Sequence, residues 1–192
     1  MKIVTKKTIK MKSQNKNKNM QRLSIISSMV LTFVTVWGSM GQGTASAEQM
    51  ETIDASIVVP APIDKVWSIV ADVDEEPQYW SSIKEVKNVK TTSNVTERDA
   101  TLNINNAKAH QIITLHPKDS IVVNQTEGPI TGTRTMTLSV PNNDNNETKI
   151  DVSWKMDLSR IPIIGKGFAK DGIFKTTEEA LKKIASAAEK TP

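Results

Sequence analysis

The sequence predicts an α+β domain in which a bent antiparallel β-sheet packs against one long C-terminal α-helix. Apolar and polar side chains alternate through residues 52–59, and this alternation recurs in about six segments between residues 83 and 158. Residues 174–188 instead place apolar side chains three and four residues apart, which is typical of an amphipathic helix. A sheet of about six or seven strands curved around one helix has a concave side that the helix or a ligand must fill.

The first strand is predicted at residues 52–59, where four apolar side chains alternate with polar ones. It ends before Pro60, because proline donates no backbone hydrogen bond to a sheet. A short helix follows, with apolar residues at helical spacing from Ile63 to Val70. The next stretch, through Trp80, is predicted as an irregular turn.

The clearest strand covers residues 147–158. Its apolar residues are Ile150, Val152, Trp154, Met156 and Leu158, and polar or charged residues separate them. Residues 133–140 alternate in the same way, but there Arg134 falls on the apolar face with Met136. One dry face and one wet face are the pattern of an antiparallel sheet that covers a core on one side.

The last element is predicted as a helix of about twenty residues. Its apolar face is formed by Phe174, Thr177, Leu181, Ile184 and Ala188. The segment before it, residues 162–167, contains one proline and two glycines. Because both residue types lower helix propensity, this segment is predicted as a flexible hydrophobic entry to the helix.

The first 47 residues are predicted as a secretory signal peptide. Residues 1–22 hold eight basic residues and no acid, residues 23–37 are mainly apolar, and a small-residue site ends at Ala47. This order predicts cleavage after Ala47 and an extracytoplasmic or secreted protein. The alternative is a membrane anchor formed by an uncleaved leader. The apolar run disfavours it, because the run is shorter than the ~20 residues that span a bilayer. Translation could also begin at Met11 or Met20, which leaves the export signal intact.

Residues 48–192 form one predicted domain whose charge differs from that of the whole chain. The full sequence has 25 basic and 21 acidic residues, but without the leader 17 basic residues face 21 acidic ones, a formal net charge of −4. An acidic domain with few aromatic residues disfavours nucleic-acid binding. The lack of cysteine excludes disulfides, thiol catalysis and thiolate metal sites. His110 and His116 lack metal-ligand spacing, so neither a metal nor a cofactor is predicted.

Four segments carry a family resemblance. They are VVPAPIDKVW at residues 58–67, PQYWSSIKEV at residues 77–86, EGPITGTR at residues 127–134, and IPIIGKGF at residues 161–168, which leads into EALKKI at residues 179–184. In this joint order they resemble the START-like, birch-pollen-allergen-like superfamily abbreviated SRPBCC, particularly its polyketide cyclase/dehydrase and lipid-transport branch. The resemblance covers nearly all of the chain after the leader.

The resemblance implies a helix-grip fold, a highly bent antiparallel sheet wrapped around a long C-terminal helix, with short helices after the first strand and an internal cavity for hydrophobic molecules. Members of the superfamily include lipid carriers, quinone-binding proteins, aromatase/cyclases and hormone receptors. The fold therefore does not by itself name the chemistry.

Three polar residues are predicted to face the cavity and are the catalytic candidates: Arg98, in register with Ala100 and Leu102, His110, in register with Ile112, and Arg134. Each also has a structural interpretation, either as a charge that reaches solvent or as a buried group paired with the backbone. The ligand-binding candidates are Arg134, Met136, Trp154, Phe168, Phe174 and His110. Core packing explains the apolar candidates equally well.

The leading hypothesis is an exported monomer that binds or carries a hydrophobic small molecule or lipid, with transient membrane contact and with Arg134 orienting the ligand head. One alternative is a cyclase or dehydratase for polyketide-like substrates, in which His110, Arg98 or Arg134 assists enolisation. An export signal argues against that enzyme, because such intermediates are handled inside the cell. A second alternative is an envelope or stress-interaction module with a filled core. The sequence has no recognisable catalytic motif, which favours binding.

Overall fold

The computed structural model describes residues 50–190, so the predicted signal peptide lies outside the described residues. The elements, in chain order, are β1 (Glu51–Val59), α1 (Ile63–Val70), α2 (Glu76–Tyr79), β2 (Ile83–Thr92), β3 (Val95–Leu102), β4 (Lys108–His116), β5 (Ser120–Glu127), β6 (Thr131–Ser139), a 3₁₀ turn (Pro141–Asn143), β7 (Thr148–Asp157) and α3 (Ile163–Lys190). Apart from α2 and the 3₁₀ turn, this order is the one that the alternating and helical patterns predict.

Seven strands form one antiparallel sheet in the order β1-β7-β6-β5-β4-β3-β2. Strands β2 to β6 each pair with the next strand along the chain, whereas β1 pairs with β7. Helix α3 packs against β1 and against the two short helices. The predicted α+β helix-grip architecture is therefore confirmed, with a long C-terminal helix and short helices after the first strand.

The main core lies between the sheet and the C-terminal half of α3. Its fully buried members include Val66 from α1, Ile113 and Ile150 from the sheet, and Leu181 and Ile184 from α3. Each comes from an apolar position of an alternating or helical pattern, because only those positions face the inside in register. The half of α3 that begins at Ile163 is less buried, and this half borders the cavity described below.

Two predictions about local structure are wrong. The stretch predicted as an irregular turn contains one helical turn, α2, in which the amide of Trp80 donates to the carbonyl of Glu76 at 3.0 Å. Pro77 fits there because the first turn of a helix needs no amide donor at that position. The segment predicted as a flexible entry is also helical, so α3 has 28 residues. Packing of Ile173 against the cluster formed by Ile53, Met156 and Leu158 outweighs the low helix propensity of the glycines.

No helix between residues 50 and 190 is long and apolar enough to cross a membrane. Phe168 and the two isoleucines at the start of α3 are nevertheless exposed. These apolar side chains form an exposed patch around the first turns of the helix.

Candidate functional site

A cavity of about 490 Å³ lies between the sheet and the N-terminal half of α3. Its apolar lining comprises Ile83, Leu102, Ile104, Val123, Pro129, Ile130, Trp154, Met156, Ile161, Phe168, Ala169 and Ile173. The volume lies in the range of small-molecule binding pockets, which are mostly apolar with a few polar groups. The concave side predicted from the sequence is therefore not completely filled by the helix.

Phe168 marks the opening of the cavity. Its side chain lines the cavity, yet 77% of the residue is exposed to solvent. Ile163 and Ile164 lie one turn earlier in α3 and are also exposed. The apolar interior thus continues onto an apolar surface at the start of α3.

A row of polar side chains crosses the inner face of three strands. Arg98 lies opposite Gln111, and Gln111 lies opposite Gln125, across β3, β4 and β5. The Nε of Arg98 donates to Oε1 of Gln111 at 2.9 Å, and Nε2 of Gln111 donates to Oε1 of Gln125 at 2.9 Å. Both glutamines line the cavity. Hydrogen bonding within the row allows these polar groups to lie in an apolar interior.

Glu76, at the start of α2, connects this row to Arg134 on β6. One carboxylate oxygen of Glu76 accepts a hydrogen bond from Arg98, and the other accepts one from Arg134. Arg98 is completely buried, and Glu76 and Arg134 are nearly so. The three residues form a buried ionic cluster, called here the Glu76 cluster, and its member Arg134 also lines the cavity.

Two tryptophans surround the guanidinium of Arg134. Its carbon Cζ lies 4.0 Å from the ring centroid of Trp80 and 5.4 Å from that of Trp154. The two rings meet edge to face, and the indole nitrogen of Trp154 donates to the Thr177 hydroxyl at 3.0 Å. Cation–π contacts of this kind are stronger where water is excluded.

The electrostatics of the Glu76 cluster keep its carboxylate charged. Burial alone would raise the pKa of Glu76, but the adjacent Arg134 and Arg98 outweigh burial and hold that pKa below its usual range. For Arg134 the balance is reversed, because burial lowers the pKa of its guanidinium more than Glu76 raises it. Arginine nevertheless stays protonated in proteins, so the cluster contains two positive charges and one negative charge.

The structure places the sequence-predicted residues in different surroundings. Arg134, Trp154 and Phe168 line the cavity. Met136 lies in the core beside a much smaller void of about 20 Å³. Arg98 donates a hydrogen bond to Glu76 and is not among the residues that line the cavity. Phe174 is exposed and is not part of the cavity lining, because its position on α3 turns it away from the sheet.

The prediction that His110 faces the cavity is wrong. The buried residues of β4 are Ala109, Gln111 and Ile113, so His110 and Ile112 lie on the outer face. Because Ile112 and Ile113 are adjacent, the sequence does not show which set of alternate residues in β4 faces inward. The inner face of β4 also carries the polar Gln111. Nδ1 of His110 lies 2.9 Å from Oδ1 of Asp99, on the side of the sheet away from the cavity.

On this outer face, the pKa of His110 is raised above its ordinary value of 6.5, mainly by the hydrogen bond to Asp99 and also by Glu97 and Glu127. The stability that protonation adds is fully present below pH 6.5 and is lost as the pH rises through the higher pKa of the folded protein. We expect Asp99→Asn to lower the pKa of His110, measured by NMR titration of the imidazole. An unchanged pKa in this variant would contradict the assigned contact.

Sequence reasoning missed Glu76, Gln111 and Gln125. A signal for Glu76 existed, since two arginines predicted on inner faces require a nearby acid. Glu76 lies just before Pro77, in the segment predicted as an irregular turn. No comparable signal identified the glutamines. Within residues 50–190, no group of three or more histidines and carboxylates is placed to hold a metal ion.

Comparison with known proteins gives a family match and several similar structures. The family model described as polyketide cyclase / dehydrase and lipid transport matches residues 50–189. The search of curated proteins found no match. The Zhui aromatase/cyclase from a Streptomyces species is 14% identical, with a TM-score of 0.65, and the match covers 73% of this chain and 94% of that one.

Two further structures are similar at the same level. A protein from Thermus thermophilus is 14% identical with a TM-score of 0.62, and the match covers 72% of this chain and 97% of that one. A START superfamily protein from Mycobacterium smegmatis is 15% identical with a TM-score of 0.58, again covering 72% and 97%. At such low identity the likeness shows the fold, which is that of the START and SRPBCC superfamily.

Proposed function

Since this chain belongs to the polyketide cyclase/dehydrase and lipid-transport family, we propose that it binds or carries a hydrophobic small molecule or lipid between its sheet and α3. The observation that carries the proposal is the cavity of about 490 Å³ with its mainly apolar lining. Each 100 Å² of apolar ligand surface removed from water there contributes about 2.5 kcal/mol, before the cost of immobilising the ligand. The predicted signal peptide would make this an extracytoplasmic carrier.

The chemistry of the lining favours binding over catalysis. General acid–base catalysis needs a titratable group within hydrogen-bond reach of the substrate. Among the described lining residues, the ionisable side chain is that of Arg134, which cannot act as a base because it keeps its proton. His110, the best acid–base candidate from the sequence, lies on the other face of the sheet. These observations support a carrier rather than a cyclase.

The proposal is tested by filling the cavity. Ala169 lies on α3, lines the cavity and is half-buried, so the larger side chain of Ala169→Phe takes up volume that a ligand needs. We expect the protein to bind the neutral apolar dye Nile red, and Ala169→Phe to weaken binding at least about tenfold. Fluorescence titration measures the affinity, and circular dichroism checks that the variant is folded.

Lys182→Phe is the matched control, because Lys182 is exposed on the same helix and does not line the cavity. It should bind the dye as the unmodified protein does. Equal affinity of Ala169→Phe and Lys182→Phe would contradict binding in this cavity, as would the absence of dye binding to the unmodified protein.

A further inference from the structure

The charge of the Glu76 cluster is not balanced. Arg98 and Arg134 each bond one oxygen of the same carboxylate, so the cluster has one surplus positive charge. An uncompensated charge in a protein interior is costly, because little water is present to solvate it. A second anion near the cluster would remove this cost.

The hydrogen bonds of the two arginines indicate that the surplus charge lies on Arg134 rather than on Arg98. The nitrogens of Arg98 all have partners, since Nε donates to Gln111, Nη1 donates to the carbonyl of Val73 at 2.7 Å, and Nη2 donates to Glu76. In Arg134 the bond from Nη2 goes to Glu76. Its buried Nε has no hydrogen-bond partner among the described residues. Arg134 is also the member of the pair that lines the large cavity.

A water molecule alone would not resolve this imbalance. The void of about 20 Å³ beside Glu76 and Arg134 has room for about one water. Such a water could accept a hydrogen bond from Arg134, but it carries no charge. The side of Arg134 that borders the large cavity remains the place where a negative group could be accommodated.

We propose that the cavity takes amphipathic ligands with a single carboxylate, which Arg134 binds while the apolar part of the ligand fills the space towards Phe168. The inference rests on the proposed function, since it specifies the class of hydrophobic ligand. A carboxylate matches both the surplus charge and the planar donor geometry of a guanidinium. Arg134 is nearly completely buried and lies close to the rings of Trp80 and Trp154, and in such a low-dielectric environment the attraction between opposite charges is stronger.

The test compares ligands that differ in the headgroup. Dodecanoate, dodecanol and methyl dodecanoate share one apolar chain, and at about pH 8 the acid is ionised. Isothermal titration of the protein purified after expression of the full chain should give an affinity for dodecanoate about 10- to 100-fold higher than for either neutral compound. Arg134→Met should remove this preference, so that the variant binds dodecanoate no more tightly than dodecanol.

Arg134→Met is expected to fold, because Glu76 then pairs with Arg98 alone. The matched control is Arg160→Met, which removes an exposed arginine outside the cavity lining and should keep the preference for the acid. Equal binding of the acid and the alcohol to the unmodified protein would overturn the inference, and so would a preference that survives Arg134→Met. If Arg134→Met does not fold, the ratio of the dodecanoate affinity to the dodecanol affinity of the unmodified protein decides the question alone. Failure of all three compounds to bind would instead count against the proposed function.

Discussion

Glu76→Gln should lower the free energy of unfolding by about 3–5 kcal/mol, because it leaves two buried guanidinium groups without their shared carboxylate. Glutamine has nearly the same shape, so the loss reports the charge rather than a cavity. The carboxylate is held in place by α2 on one side and by β3 and β6 on the other. Chemical denaturation followed by circular dichroism measures the change.

Glu75→Gln is the matched control for this variant. Glu75 is the adjacent residue, is exposed and makes no side-chain capping bond to α2. It should change the stability by no more than about 0.5 kcal/mol. Similar losses in the two variants would contradict the assignment of Glu76 as the centre of the buried cluster.

The same carboxylate should make the protein sensitive to acid. Since the pKa of Glu76 is lowered on folding, its contribution is present above the ordinary value of 4.5 and is lost as the pH falls through the lower pKa of the folded protein. In Glu76→Gln this part of the pH dependence should disappear. The denaturation series above, repeated at acid pH, therefore provides a second readout of the same residue.

Gly132→Ala should destabilise the protein by about 2–3 kcal/mol or more. Gly132 has φ +141°, a conformation that side chains rarely adopt, and an added Cβ would lie 2.8 Å from the Cα of Met156 and closer still to the carbonyl of Lys155. Both contacts are with the backbone of β7, which pairs with β6 at this point. The substitution therefore forces β6 and β7 apart beside the cavity, and thermal unfolding measures the effect.

Gly167→Ala is the matched control and should have the opposite sign. Gly167 lies inside α3, and a Cβ there meets no atom within 4 Å. Replacing glycine by alanine in a helix interior stabilises by roughly 0.5–1 kcal/mol. A destabilised Gly167→Ala would contradict the helical assignment of this segment, and a neutral Gly132→Ala would contradict the close approach of β6 and β7.

The sequence predicted most of the fold because most strands are buried on one face. In β7 the apolar residues from Ile150 to Met156 alternate without interruption, and in β6 the inward position of Arg134 followed from its register with Met136. Strand β4 differs because its inner face carries Gln111. The hydrogen bonds that make this glutamine acceptable come from other strands, and the local pattern contains no information about them.

The same limit applies to the ionic cluster. Its members are far apart in the sequence, with Glu76 before β2, Arg98 on β3 and Arg134 on β6. The alternation of apolar and polar residues predicted that both arginines point inward. Their common partner, Glu76, could not be predicted in this way, because its position depends on where α2 packs. The extent of α3 was missed for a related reason, since packing of Ile173 against the cluster of Ile53, Met156 and Leu158 stabilises a helix whose glycines disfavour it.

A crystal structure of the protein grown with dodecanoate tests most directly whether the interior holds a small molecule. We expect one ligand enclosed by Met156, Trp154 and α3, with its carboxylate at Arg134 and its chain end near Phe168. An interior in which α3 has closed onto the sheet, so that Ile173 and Phe168 fill the space and no ligand is bound, would contradict the account.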